Sequence, residues 1–370
     1  MFRPTAARVD TNALRSNLEL LKSWNGAGFF CPMVKANAYG HGDLIVSRIV
    51  EQSGEADALG VALVEEGCRL RERGIRMPIL VFGPLTAESA KQVLDFGLTP
   101  VMGCMGDLDA LLRHPIRHRL KIHLKFNTGM QRLGFDAIDI PPLQSRLKAH
   151  AESFEVQGVC THLSRGEDVR EADGPTAKQL LRFQKMTAPF PGIRHVHKSA
   201  SLCTLREETA RTGLGSRPGI ALYGLPFEGR EMAPGLKPVL TWTTALVAVH
   251  DVEKGEGVSY GPAWLAPRRS RIGVVPVGYG DGYSRTFSDR GEMLFRGCRV
   301  PVVGRVCMDY TLLDLTESCR DGDAHTGEPV VIIGRQGHEE ISAAELAETA
   351  KTISYEVVTA IGHRVAREAL

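Results

Sequence analysis

The sequence contains no Cys-x-x-Cys pair. Its eight cysteines, at positions 31, 68, 104, 160, 203, 298, 307 and 319, are scattered. That argues against a disulfide framework or a zinc site and for buried thiols in a reducing cytoplasm. No apolar run approaches membrane-spanning length. The opening Met1-Phe2-Arg3-Pro4-Thr5-Ala6-Ala7-Arg8 lacks the apolar core of a signal peptide. Charge of one sign is also missing: 45 Lys and Arg face 43 Asp and Glu, a net charge of +2 without long runs. Neither nucleic acid nor a membrane surface is therefore an expected partner. Internal repeats and low-complexity segments are absent as well.

What is present is an average globular composition, 43% hydrophobic and 24% charged, over 370 residues. That length suits a large barrel plus a second unit. Through residue 235, short apolar segments alternate with amphipathic ones. Strand candidates fall at Phe29–Val34, Ala58–Leu63, Ile79–Phe82, Thr99–Met102, Leu120–Phe126, Phe154–Thr161, Ile193–His197 and Gly215–Pro218, with helical patterns such as Val64–Arg73, Thr86–Phe96 and Thr176–Met186 between them. Eight strand–helix repeats predict an α/β fold of the (β/α)8, TIM-type barrel class. Beyond Pro238 the texture turns to strands, at Leu240–His250, Ile272–Val277, Val300–Val306, Thr311–Leu315 and Pro329–Ile333. Only Ser342–Lys351 and Ser354–His363 read as helical there, with Ser342 as N-cap and Glu345 completing a capping box. The expected division is a barrel over residues 1–235 and a mainly β domain over 236–370.

Barrel enzymes place their chemistry at the C-terminal ends of the strands. Those ends carry Lys35, Lys125, His162, the Ser199–Ser201 stretch and Arg217. Five polar groups from distant positions would converge on one mouth, which points to an enzyme. Lys35, behind the apolar Phe29–Val34 run, is either a solvated charge or an imine-forming amine, half desolvated and partly neutral at pH 7. Spacing alone leaves both open. Arg132, seven residues after Lys125, is either a solvated strand-end charge or a planar fork for a carboxylate. His195-Val196-His197 sets two imidazoles on one strand face, but without a third ligand of suitable spacing no metal is assigned.

The stretch Val34-Lys35-Ala36-Asn37-Ala38-Tyr39-Gly40-His41-Gly42 resembles, nearly letter for letter, the pyridoxal-phosphate attachment site of the alanine racemase family. Ser216-Arg217-Pro218-Gly219-Ile220-Ala221-Leu222-Tyr223-Gly224 is close to that family's arginine–proline–glycine signature. Val258-Ser259-Tyr260-Gly261, the Pro276–Arg285 segment, Gly304-Arg305-Val306-Cys307-Met308-Asp309 and Ser354-Tyr355-Glu356-Val357 match further blocks in order. The resemblance spans about residues 5 to 368.

The resemblance implies pyridoxal 5'-phosphate joined to Lys35, its phosphate held by Tyr39, Ser201, Tyr355 and the amides of Gly219 and Ile220. It places Arg217 beside the pyridine nitrogen, where an always-protonated guanidinium leaves that nitrogen unprotonated and the ring a weaker electron sink. His162 would hydrogen-bond this arginine. Arg132 would contact the substrate carboxylate and the cofactor phenolic oxygen, oriented by Lys125, which some members carry carbamylated. Racemisation needs a proton donor and acceptor on each face of a planar carbanion. Lys35 serves one face and Tyr260 the other. The Met308 amide would hold the carboxylate, with Tyr279, Cys307 and Asp309 around it. Family members are homodimers in which the β domain of one subunit completes the barrel mouth of the other. The implied activity is interconversion of L- and D-alanine in the cytoplasm, supplying D-alanine for cell-wall peptidoglycan.

One departure stands out: Ala200-Ser201 replaces the usual Asn-Ser, so an amide near the cofactor is lost. A racemase for serine or a broader amino-acid set therefore stays open. A barrel decarboxylase of basic amino acids would face the pyridine nitrogen with a carboxylate, against which Arg217 stands. A single-barrel cofactor carrier would lack everything after about residue 238.

Overall fold

The computed structural model describes residues 3–166, 173–197, 213–227, 231–319 and 324–370. Seven parallel strands follow one another in sequence order: Leu59–Val61, Ile79–Val81, Thr99–Met102, Leu120–Lys125, Phe154–His162, Ile193–His197 and Gly215–Ser216. The eighth member, Phe29–Val34, is not a continuous strand, because Pro32 removes a ladder donor. It still closes the ring. Phe30 bridges to Ser216 on one side and Met33 to Gly60 on the other. The Cys31 amide donates to Ser216 O (3.0 Å) and the Val34 amide to Gly60 O (2.8 Å).

Helices Asp43–Ser53, Val64–Glu72, Ala87–Asp95, Met105–Leu112, Ile140–Ala149 and Pro175–Thr187 alternate with the strands. After the last strand comes only a short 3-10 turn, Ile220–Tyr223. The N-terminal helix Thr11–Asn25, capped by the Asp10 carboxylate on the Asn12 and Ala13 amides, packs there instead. Its Asn17 side chain donates to Leu222 O (3.1 Å) and Lys237 O (2.7 Å). No described helix is long and apolar enough to cross a membrane. The seven described cysteines are free.

The second sheet runs in the order Cys298–Pro301, Glu292–Phe295, Pro329–Gln336, Leu240–Ala245, Ala6–Val9, Ala366–Ala369, with Glu339–Ile341 added on Pro329–Gln336. Strand Ala6–Val9 comes from the N-terminus and lies antiparallel to Leu240–Ala245 and parallel to Ala366–Ala369. It ties the two ends of the chain into one sheet. Sequence reasoning found no strand there, because four residues are too few to show a period. A smaller sheet joins Ala248–Val252, Ser270–Val275 and Thr311–Asp314.

Ser342 caps helix Ala343–Ala350 as expected, accepting from the Glu345 amide. The other half of the expected capping box does not form. The Glu345 carboxylate turns to Arg299, whose fork also takes Glu292 and Glu339. A bidentate charge-assisted pair outweighs a single bond to one backbone amide.

Candidate active site

Lys35 emerges where the barrel-closing segment ends and opens the short helical turn Lys35–Tyr39. That turn is left-handed: Ala36, Asn37, Ala38 and Tyr39 all have φ between 51° and 54°. Each such residue costs roughly 1–2 kcal/mol for L-amino acids, so surrounding structure must hold it. Three devices do so. The Glu66 carboxylate accepts the Ala36 amide (2.6 Å) and, with its other oxygen, the Ala62 and Leu63 amides. Asn37 Oδ1 accepts the Asp43 amide (3.0 Å). Gly40, at φ 84°, lies so close to helix Ser354–Ala360 that an added Cβ would stand 2.8 Å from the Val358 carbonyl carbon.

Burial is the main cause that lowers the Lys35 pKa, and the positive charges of Arg132 and Arg217 act in the same direction. Lys125, 6% exposed at the end of its strand, is lowered first by burial as well, with Arg217, Arg132 and Lys35 adding to it. Lys125, Arg132 and His162 line one small hollow. The loop carrying Arg132 is built around Asn127. Its side chain donates to Gln131 Oε1 (2.7 Å) and Asp136 Oδ1 (2.9 Å) and accepts the Gly129 and Gln131 amides. Sequence reasoning passed over Asn127. An Asn two residues before a glycine is the signal that was there to read, and the structure holds Gln131 of the same loop at φ 55°.

Arg217 is 2% exposed. It donates to Thr161 O (2.7 Å) and to His195 Nδ1 (2.7 Å), and stands over the Phe82 ring. His195 is thus an imidazole partner of this arginine, and His162 lines the hollow beside Lys125 and Arg132. His195 Nε2 continues to His123 Nδ1 at 2.8 Å. Arginine can only donate, so His195 Nδ1 must accept and its Nε2–H must donate to His123. Burial pushes the His123 pKa down to about 4 and His195 well below its ordinary value. Gly158 makes room for this pair, since an added Cβ would meet His123 Nδ1 at 2.5 Å. Both His195 nitrogens are thus engaged. Among the described residues, no group of three His, Cys, Asp or Glu is placed to hold one.

Tyr39 is buried under Gly219, next to Ile220, with the Tyr223 ring 5.2 Å and the Tyr355 ring 6.1 Å away. Tyr355 comes from the C-terminal helix of the same chain. Ser201, with Ser199 and Ala200, lies outside the described residues.

The structure does not bring Tyr260, Tyr279 and Met308 to this mouth. They lie on the β domain, 69%, 43% and 53% exposed. Among the described residues, no hydrogen bond or ring contact joins them to Lys35 or Arg217. Tyr260 follows Ser259, whose φ of 69° is held by its hydroxyl bond to Arg305 O (2.7 Å). Cys307 Sγ sits 3.8 Å from that hydroxyl. Asp309 pairs with Arg364 at 2.7 Å.

The mouth therefore gathers Lys35, Lys125, Arg132 and Arg217, offset by Glu66, whose carboxylate is already occupied by three amides. Such a donor set is short of negative charge and fits an anionic group. A phosphate beside Tyr39 and the Gly219–Ile220 amides and a carboxylate at Arg132 meet that need, so the residues present fit pyridoxal phosphate. Fold and mouth together define a two-part barrel enzyme with a half-buried lysine set among cations.

Comparison with known proteins narrows the class. The model of the alanine racemase N-terminal domain matches residues 9–226, and that of the C-terminal domain matches residues 239–369. The alanine racemase of Symbiobacterium thermophilum is 42% identical over 382 aligned positions, covering 99% of this chain and 97% of that one. That of Halothermothrix orenii is 36% identical, with 99% and 97% covered. Among solved structures, alanine racemase from the D-cycloserine-producing Streptomyces lavendulae superposes with a TM-score of 0.89 at 31% identity, covering 100% of this chain and 98% of that one. The Bacillus anthracis enzyme with bound L-Ala-P gives 0.89 and 31%, with 99% and 94% covered. The chain belongs to the alanine racemase family.

Proposed function

We propose that the protein interconverts L- and D-alanine with pyridoxal 5'-phosphate in the cytoplasm, as a homodimer whose sites are shared between subunits. The observation that carries this is the placement of Lys35, buried enough to lower its pKa and flanked by Arg132 and Arg217. Tyr39, Ser201, Tyr355 and the Gly219 and Ile220 amides would hold the phosphate, and Arg217 would face the ring nitrogen. When bound, the cofactor supplies an electron-withdrawing ring that acidifies the substrate α-proton.

The protein's own contribution is binding and proton handling. Arg132 holds the substrate carboxylate with its planar fork, and Lys125, if carbamylated, gives that fork an anionic neighbour. The lowered pKa of Lys35 makes its amine available to take or return a proton on one face. On the other face the Tyr260 hydroxyl does the same. Tyr260 and Met308 are exposed on their own subunit, which supports their serving the mouth of a second copy. There Tyr279, Cys307 and Asp309 would form the wall, with the Met308 amide on the carboxylate.

The test is a circular-dichroism assay of purified protein on L- and D-alanine, serine and lysine, beside a Lys35→Ala variant. Racemisation of alanine that disappears with Lys35 is the expected result. Alanine untouched, or racemised equally well by the variant, contradicts the reading.

A further inference from the structure

Beside the Asp309–Arg364 pair lies a charged cluster centred on Asp281. Asp281 is completely buried, at the end of the 3-10 turn Tyr279–Asp281. Its carboxylate accepts the Gly278 amide at 3.0 Å. Both terminal nitrogens of Arg3 grip it, at 2.8 and 2.6 Å, while Arg3 Nε donates to Pro276 O at 3.1 Å. Arg364 stands 3.4 Å from the same carboxylate and donates to Asp309 at 2.7 Å. A buried carboxylate persists only with partners of this kind. The turn is therefore held in place by a residue at the N-terminus.

The turn in turn fixes its neighbour. The Tyr279 amide donates to Cys307 O (3.0 Å) and the Gly280 amide to Met308 O (2.9 Å). Gly278 and Gly280 permit the approach. A Cβ on Gly278 would stand 2.5 Å from Met308 O, and one on Gly280 2.5 Å from Arg364 Nη1. In a trans peptide the C=O and N–H point in opposite directions. With the Cys307 carbonyl accepting the Tyr279 amide, the N–H of Met308 points away from that turn.

We propose that Arg3 is a positioning residue for substrate: through Asp281 and the Tyr279–Asp281 turn, it aims the Met308 amide at the carboxylate bound in the partner's site. This rests on the assignment of that amide to the carboxylate made above.

The test compares holoenzyme carrying Arg3→Met, and separately Arg3→Lys, with wild type. Two quantities are read: steady-state racemisation of L-alanine and hydrogen–deuterium exchange of peptides covering residues 305–310. Arg3→Met should raise KM about tenfold, the worth of one charge-assisted hydrogen bond, with kcat within about twofold because the carboxylate contact is equal in ground and transition states. Exchange in 305–310 should quicken, and Arg3→Lys, which keeps the charge without the fork, should recover part of the KM. Unchanged exchange in that segment overturns the proposal. Quickened exchange with unchanged KM shows that Arg3 holds the turn but removes Met308 from the carboxylate, which refutes the reading beneath it. A fall in kcat with KM unmoved also overturns it. Should Arg3→Met fail to fold, Arg3→Lys carries the same comparison at smaller amplitude.

Discussion

The chain from Arg217 through His195 to His123 permits a quantitative prediction. Replacing His123 with Leu removes the acceptor of the His195 Nε2–H bond (2.8 Å) inside a barrel where both rings are buried. A buried donor left without a partner costs about 1–3 kcal/mol. Asparagine offers an oxygen near the place of Nδ1, so His123→Asn should keep most of that stability and His123→Leu should lose it. The difference also depends on pH. Burial holds the native His123 pKa at about 4, against an ordinary value of 6.5. Below 6.5 the unfolded chain binds a proton that the native state refuses, so the wild type loses stability as pH falls toward 4. The loss at this site is on the order of 3 kcal/mol. His123→Leu has no such proton to bind, so its deficit should shrink between pH 7 and pH 4.5. Urea denaturation of the apoprotein at several pH values reads this directly. Long-range proton–nitrogen NMR should show both histidines as neutral Nε2–H tautomers at pH 7. Equal stability of the Leu and Asn variants, or a deficit that does not change with pH, would refute the donor chain.

Three further outcomes follow from the mouth. Gly219→Ala would set a Cβ 2.9 Å from Tyr39 Cζ and nearer still to its hydroxyl, inside the 3.4–4 Å of ordinary contact. Overpacking of about 1–3 kcal/mol should weaken pyridoxal-phosphate binding roughly 5- to 150-fold in a fluorescence titration, and less so in a Tyr39→Phe background. Because burial lowers the Lys35 pKa, the native apoprotein binds fewer protons there than the unfolded chain until pH passes the ordinary lysine value of about 10.5. Lys35→Met should therefore raise apoprotein Tm at pH 7 by more than at pH 10, and a gain that grows with pH would be the wrong sign. Asn127→Ala should raise KM for alanine more than it lowers kcat, since it loosens the loop bearing Arg132 at a stability cost of about 1 kcal/mol; an unchanged KM would remove Asn127 from that role.

What could be read in the sequence follows the strength of the local physics. The barrel was legible because apolar strand-length runs such as Leu120–Lys125 and Ile193–His197 alternate with amphipathic helices, and five of the eight runs carry a polar group near their C-terminal ends in the sequence. Lys35 was legible only through its whole nonapeptide. A lysine behind an apolar run carries no unique meaning, and the left-handed Ala36–Tyr39 turn lacks the glycines that would have announced it. Features set by contacts between distant residues stayed hidden. Ala6–Val9 is a strand because Leu240–Ala245 and Ala366–Ala369 flank it, not because of its own pattern. Glu345 fits a capping box by spacing, yet Arg299, brought beside it by the sheet, takes its carboxylate. His195 was weighed only as half of an incomplete metal pair and left without a role, because the position of Arg217, 22 residues on, could not be read from periodicity. The exposure of Tyr260, Tyr279 and Met308 likewise appears only once the β domain is folded.

The central claim, that each site takes Lys35 from one subunit and Tyr260 from the other, is tested most directly by mixing two inactive homodimers. Lys35→Ala and Tyr260→Phe homodimers each lack one base at every site. In a mixed dimer one site collects both defects and the other neither. With free subunit exchange, half the dimers are mixed and half of their sites are intact, so racemisation should return to about a quarter of wild type. A labelled-subunit assay establishes that exchange has taken place. Confirmed exchange without any return of activity would place both bases in one subunit and contradict the shared site.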